Sequence, residues 1–486
     1  MNIRMTGYIL GILLFFEGIF MLVPTLTAAV YHEPELLLFA VIAGICIAAG
    51  AVITRFKPAN KNLFARDGFV IVALSWVVLS LIGALPFYIS GTIPKFVDAM
   101  FEAVSGFTTT GASILHDLTP VPKCMLMWRS FTHWVGGMGV LVFIMAILPL
   151  AGGQNMYLMK AESPGPSVTK LVPRVRQTAM MLYLLYFVMT VAEFVLLLIG
   201  KMPLFDAINI AVGTAGTGGF ACNPEGMPYS PFCINVITVF MLLFAVNFSC
   251  YFLFLQRKFK EGLTDELKVF LGILVFSIVT ITLNVRHLPM FSSTGEALMH
   301  SSFTIGSLIS STGFSTVDFN QFPVYSKTLL VILMFVGACA GSTGGGIKVS
   351  RFQIMFKTIK REIQSYIHPR TVKTITIDGK AVGSDVEHSV ALYFFIYLVI
   401  FVVSMFIVAI EGHDLVTVFT SVAATLNNIG PGLSLVGPTC NYGFFSNLSK
   451  WVMIFDMLAG RLELLPIIVF LTPTTYRGIL KKSVRS

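Results

Sequence analysis

Across 486 residues, 56% are hydrophobic and 12% charged, and a mean hydropathy of +0.83 excludes an ordinary soluble domain and points to a polytopic membrane protein. The net charge of +9 does not indicate a nucleic-acid partner, because the basic residues gather in alternate loops instead of one patch. Ten apolar spans follow in chain order at about 7–30, 36–54, 68–90, 125–150, 178–200, 232–256, 268–289, 326–358, 388–411 and 450–472, each near the ~20 residues a crossing needs. The N-terminus and the loops after even-numbered spans hold 25 of the 33 Lys and Arg, including Arg55, Lys57, Lys61, Arg66, Arg257, Lys258, Lys260, Arg477, Lys481, Lys482 and Arg485. By the positive-inside rule both termini are expected in the cytoplasm.

The first span resembles a signal peptide only in position. Glu17 interrupts its apolar run and no clean small-residue cleavage site follows, so residues 1–60 read as a retained transmembrane hairpin. The rest of the chain then repeats. Ser105-Gly106-Phe107-Thr108-Thr109-Thr110-Gly111 breaks an apolar region with residues that expose backbone, and weaker spellings recur at Gly216–Ala221, Ser311–Ser315 and Asn427–Gly432. Aligned on Gly111, Gly219, Gly313 and Gly430, they are spaced 108, 94 and 117 residues apart. Four duplicated units are expected, at residues 61–160, 161–262, 263–365 and 366–486.

An acid, in turn Asp98, Asp206, Glu296 and Asp414, precedes each aligned glycine by 13 to 17 residues. Acids favour helix N-termini, and a helix of about 12 residues rises only about 18 Å, half of a ~30 Å hydrocarbon core. Each unit therefore predicts a re-entrant helix whose negative C-terminal end faces a glycine-containing backbone. Irregular backbone at that depth must line protein or water, and converging carbonyls can replace a cation's hydration shell. Close helix packing explains an isolated membrane glycine but not four acid-to-glycine segments in register.

A second glycine-rich break lies at Ala338–Gly346, within a long apolar span. Its five glycines from Gly337 to Gly346 penalise helix by about 5 kcal/mol relative to alanine. It is no nucleotide-binding P-loop, because Ile347 stands between Gly346 and Lys348. Arg461 falls midway through the last span, where an arginine costs at least ~2.5 kcal/mol. Glu463 and Asp456 are off its helical face, so a barrier in the ion path, an anchor for the glycine loop and a structural ion pair all stay open. The seven cysteines form no disulfide or metal pattern, and the eight histidines read as packing or surface residues.

These elements together resemble the Trk/Ktr/HKT superfamily of potassium transporters. The likeness is carried by four helix, pore-helix, helix units with one filter glycine each, by Ala338–Lys348 in the third unit and Gly460-Arg461-Leu462-Glu463 in the fourth, and by the basic loop Leu171–Arg176. Within that superfamily the likeness is to the membrane subunit of bacterial Trk systems and spans essentially the whole chain. It implies an all-α polytopic fold with an N-terminal hairpin and four repeats around a pseudo-fourfold pore. It implies K⁺ coordination by backbone at Thr109, Thr110 and Gly111, Thr217, Gly218 and Gly219, Ser311, Thr312 and Gly313, and Asn428, Ile429 and Gly430. The last set departs most from the pattern, with Pro431 following it. In related plant transporters a serine at the first filter glycine accompanies sodium preference, so Gly111 implies potassium.

The resemblance further implies a gate made by Gly341, Ser342, Thr343, Gly344, Gly345, Gly346 and Arg461, and a homodimer in the bacterial inner membrane. The basic segment Lys348–Glu387 would dock a cytosolic nucleotide-binding subunit resembling TrkA; composition alone gives only cytoplasmic placement and contact with anionic lipid. K⁺ is the cargo and no organic cofactor is expected. A transporter for another solute would need paired ionisable groups on broken helices, and a membrane enzyme a nucleophile and base or a metal cluster; neither pattern is visible. Passive conduction and Na⁺- or H⁺-coupled uptake both remain open.

Overall fold

A computed structural model describes residues 2–60, 63–137, 139, 175–223, 226–368 and 374–476. The spans around 140–150, most of the loop Leu171–Arg176 and the basic residues Lys61, Arg370, Lys373, Arg477, Lys481, Lys482 and Arg485 lie outside the described residues. The N-terminal hairpin is present. Ile3–Phe20 continues as Leu22–Tyr31, His32 in the left-handed conformation ends it, and Leu36–Arg55 returns beside it. Glu33 in the hairpin turn accepts the Lys123 and Cys124 amides at 2.6 and 2.8 Å. A carboxylate at these unsatisfied first-turn donors ties the hairpin to the first repeat.

Four units of outer helix, short helix and inner helix follow. The outer helices are Ala65–Ile89, Val175–Ile199, Asp265–Val285 and Ser384–Ala409. The short helices are Phe96–Phe107, Leu204–Gly216, Thr294–Ile309 and Leu415–Leu426, each with its acid in the first turn or at the N-cap. The outer helices carry the broad apolar faces, with Phe395, Phe406 and Leu184 exposed as lipid contact requires. The short helices are buried on nearly every side. Among the described residues six helices are long and apolar enough to cross a membrane, or seven if one bent pair counts as a span.

The second, third and fourth inner helices depart from the expected spans because they are not continuous. The first is described to Gly137; the second, Pro231–Ala245, turns by 94° into Phe248–Leu255. The third stops at Phe335, yields to the glycine-rich segment and resumes as Val349–Ile367. The fourth ends at Arg461 and restarts at Leu465 after Glu463 and Leu464 take positive φ. Such breaks release backbone acceptors that water cannot reach, so protein donors must meet them. The Cys339 and Thr343 amides bond the Ala245 and Phe244 carbonyls at 3.0 and 3.3 Å, and the Arg461 guanidinium meets those of Gly136 and Gly137 at 2.5 and 2.6 Å. The helix ends thus converge on the glycine-rich segment. The sheet among the described residues is a two-stranded hairpin, Thr376–Ile377 with Lys380–Ala381.

Candidate functional site

Each short helix ends in one backbone pattern despite different side chains. Thr109, Thr217, Ser311 and Asn428 hold φ of 57°, 53°, 60° and 54°, and two residues later Gly111, Gly219, Gly313 and Gly430 hold 78°, 69°, 84° and 93°. The amide after each left-handed residue reaches five residues back: Thr110 to Ser105, Gly218 to Gly213, Thr312 to Ser307 and Ile429 to Ala424, at 2.8 to 3.0 Å. This is Schellman-type closure of a helix C-terminus, usually made with glycine. A left-handed residue bearing a side chain costs of order 1–3 kcal/mol, so its fourfold recurrence means that the surroundings enforce it.

The glycines show how the four ends meet. A Cβ on Gly111 would stand 2.0 Å from the Gly218 carbonyl oxygen; on Gly219, 1.9 Å from that of Thr312; on Gly313, 2.2 Å from that of Ile429; and on Gly430, 2.7 Å from that of Thr110. Each glycine makes room for the carbonyl just before the glycine of the next repeat, and the fourth closes on the first. The result is a closed ring of backbone in repeat order 1-2-3-4. All twelve residues expected from the sequence lie in these four segments. Above the ring opens a cavity of about 440 Å³ lined by the four glycines and by Asp117 and Asp318. The divergent fourth segment is tied in by side chains: Asn428 Nδ2 donates to Thr110 Oγ1 and the Met457 carbonyl at 3.0 and 2.9 Å, and the Tyr442 hydroxyl to the Gly430 carbonyl at 2.7 Å.

The glycine-rich segment lies directly beneath the third and fourth short-helix ends. A Cβ on Gly344 would press on the Ser310 carbonyl and one on Gly345 on that of Asn427, at 2.8 and 2.4 Å. Its conformation is held from several directions. Glu266 accepts the Ala340 and Ser350 amides, both at 2.9 Å, and so clamps both ends; Ser311 Oγ accepts the Gly345 amide at 2.5 Å. The buried Lys348 ammonium bonds the Gly344 and Gly345 carbonyls, and Arg461 bonds that of Thr343 at 2.9 Å. Arg461 thus touches both the loop and the end of the first inner helix. Glu463 instead pairs with Arg351, and Asp456 accepts the Ser404 hydroxyl at 2.7 Å.

Side chains behind the ring escaped sequence reasoning. His133, expected to be a packing or surface residue, is buried and bridges two repeats through the Gly106 carbonyl and the Phe220 amide. Arg129 and Glu102 form a buried pair at 2.7 Å beside it, and Lys450 pairs with Asp98, also at 2.7 Å. Their partners lie far apart in sequence, so no local spacing announces them.

The TrkH family profile, described as a cation transport protein, matches residues 37–475. The chain is 36% identical to the Trk system potassium uptake protein TrkH of Salmonella typhimurium over 484 residues, 98% of this chain and 100% of the relative. It is 34% identical to TrkG of Escherichia coli K12, with 98% and 99% covered. The crystal structure of the potassium transporter TrkH from Vibrio parahaemolyticus superposes with a TM-score of 0.87 at 34% identity, over 98% of this chain and 100% of that one.

Proposed function

The chain belongs to the TrkH family of cation transport proteins, multi-pass membrane proteins and not enzymes, and from that premise we propose that it takes up K⁺ through a gated pore whose selectivity filter is the closed backbone ring. The observation that carries this reading is the cyclic fit of each glycine against the carbonyl of the next repeat. Such a ring brings backbone oxygens from four directions onto one axis, as dehydrating a monovalent cation requires. The short-helix C-termini add partial negative charge there. Thr109 to Gly111, Thr217 to Gly219, Ser311 to Gly313 and Asn428 to Gly430 are the ligand segments, and the repeat boundaries near residues 61, 161, 263 and 366 follow from them.

In this reading Gly341–Gly346 and Arg461 form the gate, since the segment packs under two of the four filter ends. Placement in the bacterial inner membrane with both termini cytoplasmic is favoured by the distribution of Lys and Arg. A homodimer and a cytosolic nucleotide-binding regulator like TrkA complete the proposal; the relatives' designation as part of a Trk system speaks for a partner. The test is flux and reversal potential of the purified chain in liposomes under K⁺, Na⁺ and pH gradients. A potential that follows the K⁺ gradient supports the pore, one that follows a product of K⁺ and Na⁺ or H⁺ gradients indicates coupling, and absence of K⁺ flux with and without the cytosolic partner refutes both.

A further inference from the structure

We infer that Glu102, Arg129 and His133 are positioning residues for ion selectivity, acting at the junction between repeats 1 and 2, where a buried ion pair and a histidine hold the backbone beside the ring. The inference rests on the filter reading. Arg129 stands on the first inner helix and Glu102 on the first short helix; their side chains are 2% and 0% exposed and meet at 2.7 Å between Nε and Oε1. A buried ion pair offsets its desolvation only when its remaining donors and acceptors are also used. Here they are used on the ring's outer rim. Glu102 Oε2 accepts the Ile114 amide at 2.8 Å, and the Ser113 hydroxyl reaches both carboxylate oxygens. The other two Arg129 nitrogens donate to Ser113 Oγ and to the Ala221 carbonyl, both at 3.1 Å, and the guanidinium lies over the Phe220 ring at 4.2 Å.

His133 follows Arg129 by one helical turn and shares its face. Its Nδ1 is 2.8 Å from the Gly106 carbonyl, and its Nε2 accepts the Phe220 amide at 3.3 Å. A carbonyl on one side and an N–H on the other fix a neutral ring with the proton on Nδ1. The ring also fills the space a Cβ on Gly218 would take. One turn of one helix therefore fixes Phe220 and Ala221, immediately outside Gly219, and through Glu102 fixes Ser113 and Ile114, just outside Gly111.

The other three repeats are the internal control. Nine residues before their filter glycines stand Ile210, Thr304 and Ser421 in place of Glu102. At the inner-helix position of Arg129 stand Ile237, Leu330 and Met453, and at that of His133 stand Met241, Met334 and Met457, all buried. At these positions uncharged side chains thus suffice in the other three repeats, and replacing a buried pair by apolar residues is often neutral for stability. What the charged junction adds is direction: hydrogen bonds that hold named backbone atoms of two adjoining segments, where small displacements change ion preference.

The experiment measures the K⁺/Na⁺ permeability ratio of purified, reconstituted Glu102→Gln, Arg129→Lys and the double variant Glu102→Ile/Arg129→Met, beside Gly111→Ser. Elution as wild type establishes folding. The expected result is a ratio lower by about tenfold in Glu102→Gln, the scale of one lost charge-assisted hydrogen bond. Arg129→Lys should be similarly impaired, because an ammonium keeps the charge but not the three-way fork. The double variant, which takes its isoleucine from the second repeat and its methionine from the fourth, should fold and conduct with a low ratio. If Gly111→Ser shifts the ratio while folded Glu102→Gln and the double variant keep it, the brace has only a packing role and the inference falls while the filter stands. If Gly111→Ser also leaves the ratio unchanged, the filter reading itself fails. Should Glu102→Gln not fold, Ser113→Ala, which removes only the bridging hydroxyl, gives the deciding ratio.

Discussion

Alanine substitution at the four ring glycines should lower K⁺ selectivity in an order set by the space each glycine leaves. An added Cβ would meet the neighbouring carbonyl oxygen at 1.9 Å for Gly219, 2.0 Å for Gly111, 2.2 Å for Gly313 and 2.7 Å for Gly430. Carbon and oxygen rest at roughly 3.3 Å or more even in favourable contacts. The oxygen must therefore yield by more than about 1 Å at the first three positions and by roughly half that at Gly430. In the proposed filter these oxygens are ion ligands, so the displacement is felt at the ion site, and overpacking of this kind costs typically 1–3 kcal/mol. Borne by the K⁺-occupied state, that is roughly a 5- to 150-fold loss of preference. The assay is the bi-ionic reversal potential of each folded variant. Gly219→Ala and Gly111→Ala should lose most and Gly430→Ala least; if Gly430→Ala is the most damaging, or all four leave the ratio at wild type, the ring does not select.

Deleting Gly341–Gly346 should raise K⁺ flux per folded protein, read as tracer uptake into liposomes, because the segment packs against the Ser310 and Asn427 carbonyls beneath the ring; a fall at normal folding would contradict its proposed role as gate. Arg461→Ala should raise flux several fold without altering the permeability ratio, since it releases the Thr343 carbonyl while leaving the ring intact; loss of folded protein would instead mark its bonds to Gly136 and Gly137 as its main role. In the outer cavity the Thr119 amide holds the Asp117 carboxyl below the usual carboxylate range. Its charge is present above the ordinary value and lost only as pH falls through the lowered one, so Asp117→Asn should reduce K⁺ uptake at low ionic strength equally at pH 7 and pH 5; an effect that disappears by pH 5 would refute the assignment.

The ring was legible because glycine at positive φ with no room for a Cβ allows no substitute: Gly111, Gly219, Gly313 and Gly430 mark all four repeats, and the acids at the short-helix N-termini mark where each begins. The left-handed residues before them are Thr, Thr, Ser and Asn, and nothing in those side chains demands the conformation; tertiary closure imposes it. The broken inner helices were illegible for a related reason. Residues 232–256 stay apolar through the 94° turn, so hydropathy sees one span, whereas the turn depends on amides of Cys339 and Thr343 a hundred residues away reaching Ala245 and Phe244. Glu102 and Arg129 are 27 residues apart on different helices, beyond any spacing rule, and His133 is distinguished from a core histidine only by its two partners.

The glycine-rich segment presents a physical problem that its cationic neighbours resolve. Three consecutive carbonyls, those of Thr343, Gly344 and Gly345, lie beneath the ring, and a glycine backbone of that kind would hold a K⁺ ion leaving the filter, whereas conduction requires sites weak enough to release it. In this structure all three carbonyls are taken, the first by Arg461 and the other two by Lys348. As the proposed gate, the segment thus has tethered cations where a mobile one would rest, an electrostatic barrier added to the steric one. Opening it breaks three charge-assisted bonds, each worth about 1.5–3 kcal/mol, or of order 5 kcal/mol before the freed groups find other partners. Moving an equilibrium from mostly closed to mostly open across a gap of that size takes a ligand or partner that prefers the open form by about 10⁴-fold. None of these three bonds is made to a ring residue. The differential affinity has to enter through elements attached to the segment, and Val349–Ile367, which begins one residue after Lys348 and precedes the Thr376–Ala381 hairpin, is the element in line to receive it.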